Sequence, residues 1–390
     1  MTRQLTAALR TAVTVHLHTH PTDELLSAWD RLVSSTGGTD VTQLSVWARV
    51  RSLERFHPSY LFVRRDGCLI GGAQVLLRGV RGLGSIGYTS YGPLLTVQGE
   101  ERAEAAEAVA LGLAKLPGVR MLFVQPAEGT DDLRLALLRH GFRPSAAGIA
   151  PAGSVRLDLD RSLDDIRRAF PPRLRSWTRR WADAGVTVRI GDESDVPTLT
   201  RLQRAAAEAR GYARPPHPEY VRHMVSELLR TGNAALFVGE VDGTPVTADV
   251  VTTCGTTVRG RLSGFDRKGP GGRLSVPGAA RWEIIRWAKA SGYRWLDFGG
   301  LTEQTLRDAV DLGLRRSDAW PGADQAKMQY GGVAFRYPGP VELIRPRPLR
   351  AAYDLATGSN LGRARLRQAQ ILLRSRSTGR GKSHEDGSTT

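Results

Sequence analysis

Residues 60–67 read Tyr-Leu-Phe-Val-Arg-Arg-Asp-Gly and run into Cys-Leu-Ile-Gly-Gly-Ala-Gln-Val-Leu-Leu. Residues 235–243 read Ala-Leu-Phe-Val-Gly-Glu-Val-Asp-Gly and run into Thr-Pro-Val-Thr-Ala-Asp-Val-Val. Each is an apolar, β-prone run, a tight Asp-Gly pair, and a second apolar run. That is the signature of a β-hairpin, because both central turn positions need the positive φ that Asp and Gly tolerate. The copies stand 175 residues apart from Leu61 to Leu236 and 176 apart from Asp66 to Asp242. Neighbouring segments keep that offset. Helical patterns cover Gly99 to Leu116 and Gly278 to Ala290, the first ended by Pro117-Gly118 and the second by Ser291-Gly292. Short buried strands follow at Met121 to Pro126 and Arg294 to Phe298, then helices at Asp131 to His140 and Thr302 to Leu312. A helix also precedes each hairpin, at Val41 to Phe56 and Pro218 to Arg230. One unit of helix, hairpin, helix, strand and helix therefore occurs twice, and matched order at constant spacing reads as a duplication.

A hairpin followed by helix, strand and helix is the mixed α/β pattern of an acetyltransferase-type acyltransferase. The expected fold is α/β (α+β), with two tandem acetyltransferase-like (GNAT-like) domains, each a mixed, mostly antiparallel sheet flanked by helices. Domain one is expected over residues 1–153 and completed by 335–365, domain two over 154–334, with a basic, partly disordered tail at 366–390. Between the copies, Val155 to Leu159 reads as a strand, and Ser162 to Ala184 as one or two helices interrupted by Pro171-Pro172. Leu349 to Thr357 reads as a short helix and Asn360 to Arg376 as a basic amphipathic one.

The 390 residues carry 55 Lys and Arg against 39 Asp and Glu, a net charge of +16. A field of that sign attracts a polyanion: nucleic acid, an anionic membrane face, or a diphosphate-bearing substrate. The charge is mostly arginine, which favours forked contacts to phosphate. Two distant cysteines, Cys68 and Cys254, support neither a disulfide framework nor a zinc site. No apolar run approaches the ~20 residues that span a bilayer, and Met1 to His16 lacks a cleavage site, so the expected location is cytoplasmic. Walker, HExxH, GxSxG and dinucleotide-binding signatures are absent. So is a clear acetyltransferase phosphate loop. Arg267-Lys-Gly-Pro-Gly-Gly-Arg273 reads either as a phosphate cradle or as a hairpin loop.

Several motifs carry a family resemblance. Thr42-Gln-Leu-Ser-Val-Trp-Ala-Arg-Val-Arg51, Gly71-Gly-Ala73, Tyr88-Thr-Ser-Tyr-Gly-Pro93 and Gly141-Phe142 resemble the first domain of the Fem transferases. Arg173 to Val188 resembles their inter-domain helix. Arg210-Gly-Tyr-Ala-Arg214-Pro with Tyr220, Asp297-Phe-Gly-Gly300 and Lys327-Met-Gln-Tyr330-Gly-Gly332 resemble their second domain. The likeness spans residues 40 to 345. It implies transfer of an amino acid from aminoacyl-tRNA, the co-substrate, to an amine, with no metal or coenzyme. The acceptor it implies is a peptidoglycan precursor or an amine-bearing antibiotic intermediate. The pattern departs at Met121 and Leu262, where the family has tyrosines, at Tyr91, which replaces the usual basic residue before Gly-Pro, and at Ala326, where the family often has an aromatic that meets the tRNA's terminal adenosine.

In that reading Lys327 steadies the oxyanion of ester aminolysis; otherwise it is a surface lysine. Asp297 either receives the amine's proton or holds the Gly299-Gly300 turn. Arg51 and Arg214 match phosphate-holding positions of the acceptor site, and Tyr220, Tyr330 and Tyr91 join them as substrate contacts. Unassisted, Arg51 reads as an ion-pair partner of Glu54, and Tyr220 as part of an apolar helix face. Arg173, Arg175, Arg179 and Arg180, beside Trp177 and Trp181, read as tRNA contacts or as solvated cations around docked tryptophans. Arg363 to Arg376 offers a second basic face, for tRNA or a peripheral anionic membrane contact. Two further readings remain open: an acyl-CoA-dependent N-acyltransferase, and a tRNA-binding protein on an inactive scaffold.

Overall fold

The structure, a computed structural model, describes residues 12–208 and 215–358. Both Asp-Gly pairs turn as their chemistry requires, with φ of 52° and 77° at Asp66 and Gly67 and 48° and 76° at Asp242 and Gly243. His57–Arg65 thereby folds antiparallel onto Cys68–Val80, and Ala234–Val241 onto Thr244–Cys254. Each hairpin is the centre of a larger sheet. The first runs, in spatial order, Thr14–His18, His57–Arg65, Cys68–Val80, Gly84–Ser90, Val119–Gln125, Val341–Ile344 and Arg143–Pro144, with Leu94–Leu95 beside Cys68–Val80. The second runs Val186–Gly191, Ala234–Val241, Thr244–Cys254, Thr257–Phe265, Trp295–Gly300, Gly153–Asp158 and Val333–Arg336. Each has one parallel pair, at the same place in the order.

The two sheets exchange a strand. Gly153–Asp158 follows the first sheet's Arg143–Pro144 in sequence but pairs inside the second sheet, with Trp295–Gly300 and Val333–Arg336. Val341–Ile344 follows Val333–Arg336 but pairs inside the first sheet, with Val119–Gln125 and Arg143–Pro144.

Helices Gly99–Ala114 and Asp131–Arg139 bury Val109, Leu113, Leu133 and Leu137 on the outer face of the first sheet. The inner faces share one core. It takes Trp29 and Trp47 from helices Asp23–Ser35 and Ser45–Ser52, and Leu199, Leu202, Val221 and Leu228 from Val196–Glu208 and Pro218–Arg230. A third cluster packs Val276–Ala290 on the outer face of the second sheet.

Several sequence expectations need correction. The expected inter-domain helix over Arg173 to Val188 is a short helix, Pro172–Trp177, then turns up to the strand Val186–Gly191. The interruption expected at Pro171-Pro172 is present, between the helices Leu163–Arg168 and Pro172–Trp177. The helix expected at Thr302 to Leu312 is one turn, Glu303–Leu306, followed by a π-helical turn, Arg307–Asp311. Thr14–His18 is an edge strand, paired with His57–Arg65. Among the described residues no helix is long and apolar enough to cross a membrane.

Candidate active site

The two parallel pairs differ. In the first sheet Gly84–Ser90 pairs with Val119–Gln125 from Ser85 through Ser90. In the second, pairing of Thr257–Phe265 with Trp295–Gly300 stops at Arg259↔Asp297, after three residue pairs. A register shift opposite Val250/Val251 leaves Arg261 as an extra residue, and such bulges bend a strand. Beyond it the strands part. Gly260 and Ser263 are exposed in mid-strand although the neighbouring ladder continues. At the apex Gly260 lies against Phe298 and Gly299, where an added Cβ would sit 3.5 Å from the Phe298 oxygen. Gly299 takes φ of 93° there, a conformation that favours glycine.

Lys327 lies at this opening. Its Nζ donates to the Gly300 carbonyl and stands 3.8 Å from Asp324 Oδ1, with the side chain 21 % exposed. Asp324 fixes the short helix Gly322–Met328 by accepting from Thr302 N (2.9 Å), Thr302 Oγ1 (2.7 Å) and Thr305 Oγ1 (2.8 Å). A cation held at a known point beside an open strand edge can meet negative charge as it develops.

Asp297 does not face that opening as a free acid. It is 1 % exposed. Oδ1 accepts from Ser154 Oγ and from Gly299 N at 2.8 Å; Oδ2 accepts from Arg259 Nε at 3.0 Å and Tyr337 OH at 3.4 Å. Four donors saturate the carboxylate, which holds the Gly299 turn and anchors Arg259; the proton-acceptor role is corrected. Arg259 also donates from Nη1 to Asp40 Oδ2 at 2.6 Å and from Nη2 to Tyr337 OH at 2.9 Å. Burial pushes the Asp40 carboxyl up, and the charges of Arg259 and Arg261 with the Thr42 hydrogen bonds outweigh that and hold it below its ordinary value. Tyr91 belongs to the same group, with its ring 4.7 Å from the Arg259 guanidinium and 5.0 Å from the Tyr337 ring. It therefore helps bridge the halves.

Arg51 and Tyr220, 169 positions apart in sequence, come together at the seam. Arg51 is 0 % exposed, with Nη1 at 3.0 Å from Glu54 Oε2 and its guanidinium 4.6 Å from the Phe56 ring. The Glu54 pairing matches the bland reading, but the pair is buried instead of solvated. Burial works against the Arg51 charge; the Tyr88 and Tyr220 hydroxyls and Glu54 more than offset that. Arg261 reaches over Trp47 beside them, 4.3 Å from the ring. Tyr330 is a core residue, stacked on Phe298 at 5.0 Å and edge-on to Phe170 at 5.5 Å. Arg214 lies outside the described residues, as does the basic helix expected at Asn360 to Arg376.

Arg173, Arg179 and Arg180 are exposed and Arg175 is half-buried, donating to the Arg168 carbonyl at 3.1 Å. Trp181 docks, its Nε1 donating to Leu274 O at 3.0 Å, while Arg180 covers Trp177 at 4.9 Å. The glycine loop at 267–273 is not an open cradle, because Asp266 Oδ1 already accepts from Lys268 N and Gly269 N, at 3.1 and 2.9 Å. A separate cavity of about 380 Å³, lined by Arg156, Trp295 and Phe335, opens at the other end of strand Trp295–Gly300 from Lys327. Sequence reasoning missed Asp40, Arg259 and Asp324. The only local signal was an acid three residues before Lys327, one helical turn away.

Residues 173–328 match the model of the acetyltransferase (GNAT) domain family. Lipid II:glycine glycyltransferase of Staphylococcus aureus strain MRSA252 is 26 % identical over 224 residues, 55 % of this chain and 53 % of that protein. The chain thus spans about half the length of the curated relatives it matches. Its fold is similar to the crystal structure of FemX, with a TM-score of 0.73 and 18 % identity over 86 % of this chain and 99 % of that one. It is also similar to the C-terminal domain of a putative lysylphosphatidylglycerol synthetase from Agrobacterium fabrum, with a TM-score of 0.51 and 17 % identity over 86 % and 96 %.

Proposed function

We propose, from the premise that this chain is a Fem-family protein of acetyltransferase (GNAT) fold, that it joins an RNA-borne amino acid to an amine. The observation that carries this reading is the parting of Thr257–Phe265 from Trp295–Gly300 with Lys327 at the opening, in one half and not the other. The acceptor nitrogen attacks the ester carbonyl. The carbon–nitrogen bond forms, the carbonyl oxygen becomes an oxyanion beside the Lys327 ammonium, and the ester carbon–oxygen bond breaks. The ribose oxygen leaves with the proton the amine gives up. One well-placed donor to such an oxyanion contributes about 3 kcal/mol. No coenzyme enters the scheme.

The name of the Staphylococcus aureus relatives supports a peptidoglycan precursor as acceptor, reached from the side of the seam where half-buried Arg261 lies by the buried Arg51, Tyr88 and Tyr220. Exposed Arg173, Arg179 and Arg180, with Arg175 behind them, are assigned to the RNA backbone. The rival donor, an acyl-CoA, is favoured by the GNAT match and disfavoured by the capped amides of the 267–273 loop. The deciding experiment incubates the protein with charged tRNAs and amine acceptors, with and without ribonuclease, and reads products by mass spectrometry. Product that survives ribonuclease treatment of the donor and needs a thioester instead would sink the RNA-ester reading.

A further inference from the structure

Asp249 lies one strand behind the opening. It pairs across the ladder with Ser263, on the strand whose far edge is open. Paired residues point to the same face. Ala248 and Val250, on either side of Asp249, face the core shared by the two halves, so Asp249 faces the opposite way, toward helix Val276–Ala290. Counted along both strands from the last pair, Arg259↔Asp297, and allowing for bulged Arg261, Gly300 stands across the gap at the level of Leu262 and Ser263. Asp249 and Lys327 therefore flank the opening at one level.

The acid is poorly compensated for its depth. It is 4 % exposed. Among the described residues the other buried carboxylates have a cation nearer: Asp40 at 2.6 Å, Asp297 at 3.0 Å, Asp195 at 2.7 Å, Asp324 at 3.8 Å. Arg281, the cation of Asp249, stands 4.0 Å away, and its guanidinium also serves the Tyr330 hydroxyl. Thr247 has one hydroxyl proton, and its Oγ1 lies 3.1 Å from Gly264 O against 3.5 Å from Asp249 Oδ2. The cross-strand neighbour of Asp249, Ser263, is the other hydroxyl that acts on the carboxylate. Burial pushes the carboxyl above its ordinary value, with Arg281, Ser263 and Thr247 opposing incompletely. A buried carboxylate in that condition is stabilised by an arriving cation.

We propose that Asp249 receives the α-ammonium group of the aminoacyl unit being transferred, which makes the opening selective for amino-acid donors over plain acyl donors. The inference rests on the transfer reading above and names what the donor side of that site recognises. An amino acid esterified to RNA carries an ammonium one carbon from the carbonyl; an acetyl or hydroxyacyl group does not. The donor then enters from the Val276–Ala290 face and the acceptor from the seam side, where Arg51 and Tyr220 lie, so the two meet at the parted strands.

The test is equilibrium binding of the full chain to a short RNA hairpin with a tRNA-like 3′ end, carrying either alanine or lactate through a stable amide. A charge-assisted hydrogen bond predicts about thirtyfold tighter binding of the alanyl form. Asp249→Asn, which keeps the shape of the side chain, is expected to bind both hairpins as the native chain binds the lactyl form. Equal affinity of the native chain for the two hairpins overturns the inference without needing the variant to fold. Equal weakening of both by Asp249→Asn does so as well, because a merely structural role predicts it. If the native chain binds neither hairpin, the RNA-donor reading fails and takes this inference with it; if it binds both alike yet transfers alanine, only this inference fails.

Discussion

At the residue scale, Lys327 and Asp297 were both candidates for chemistry, and their surroundings separate them. Lys327 keeps a fifth of its side chain exposed beside an open strand edge; Asp297 is enclosed by four donors. Replacing Lys327 with Ala is expected to lower turnover by about 10²–10³-fold. Unfolding free energy should move by no more than about 1 kcal/mol, because Asp324 retains its threonine hydrogen bonds. Turnover and urea melts on the same preparation check both halves of that statement. Asp297→Asn should do the reverse. It strips one carboxylate from a buried arginine and is expected to cost about 3 kcal/mol of stability, read by urea unfolding. Asp40 gives a pH prediction. Its folded-state pKa lies below the ordinary 3.8, so the stability it contributes is present above that value and is lost as pH falls through the folded pKa. Asp40→Asn should therefore flatten the loss of stability between pH 7 and pH 3, compared with the native chain by urea titration at both ends.

At the element scale, what was legible followed from local rules. Pro218–Arg230 begins at a proline in the first helical turn and ends where its apolar spacing ends, and the structure has those bounds. The Asp-Gly turns were readable because only a few residues accept positive φ. Gly67→Ala and Gly243→Ala are each expected to cost about 1–2 kcal/mol from backbone strain alone, since an added Cβ at either site meets nothing within 4 Å. Chemical denaturation of the two variants tests this, and a loss at only one would break the equivalence of the hairpins. The expected helix from Arg173 failed for a physical reason. Trp181 is pulled onto the second core and hydrogen-bonds Leu274 O, so the chain turns after Trp177, whatever its helical propensity. The edge strand Thr14–His18 was missed because its burial alternates only weakly and its place is set by its partner, His57–Arg65.

At the scale of the whole molecule, the exchange of Gly153–Asp158 for Val341–Ile344 makes each sheet incomplete without the other half. The inner helices of both halves also share one apolar core. Unfolding is therefore expected as a single cooperative transition, with tryptophan fluorescence and far-ultraviolet circular dichroism giving coincident curves. A chain ending at residue 340 should lose the first half's cooperative unfolding; two separated transitions in the full chain would contradict this account.

The sequence by itself determined the duplication, the hairpins with their turns, and the family motifs, because each depends on residues close together in the chain. It also placed Lys327 in a motif worth testing. Tertiary structure alone decided which half opens. Both copies carry a strand, a helix and a parallel strand, and the difference lies in how far one ladder continues and where a bulge falls. It decided too that Asp297 is spent on Arg259 and that Asp40, from the other half, shares that arginine. Pairings across tens to hundreds of residues leave no periodic trace in sequence, since their geometry is fixed only when the sheets form and a buried charge must find its partner.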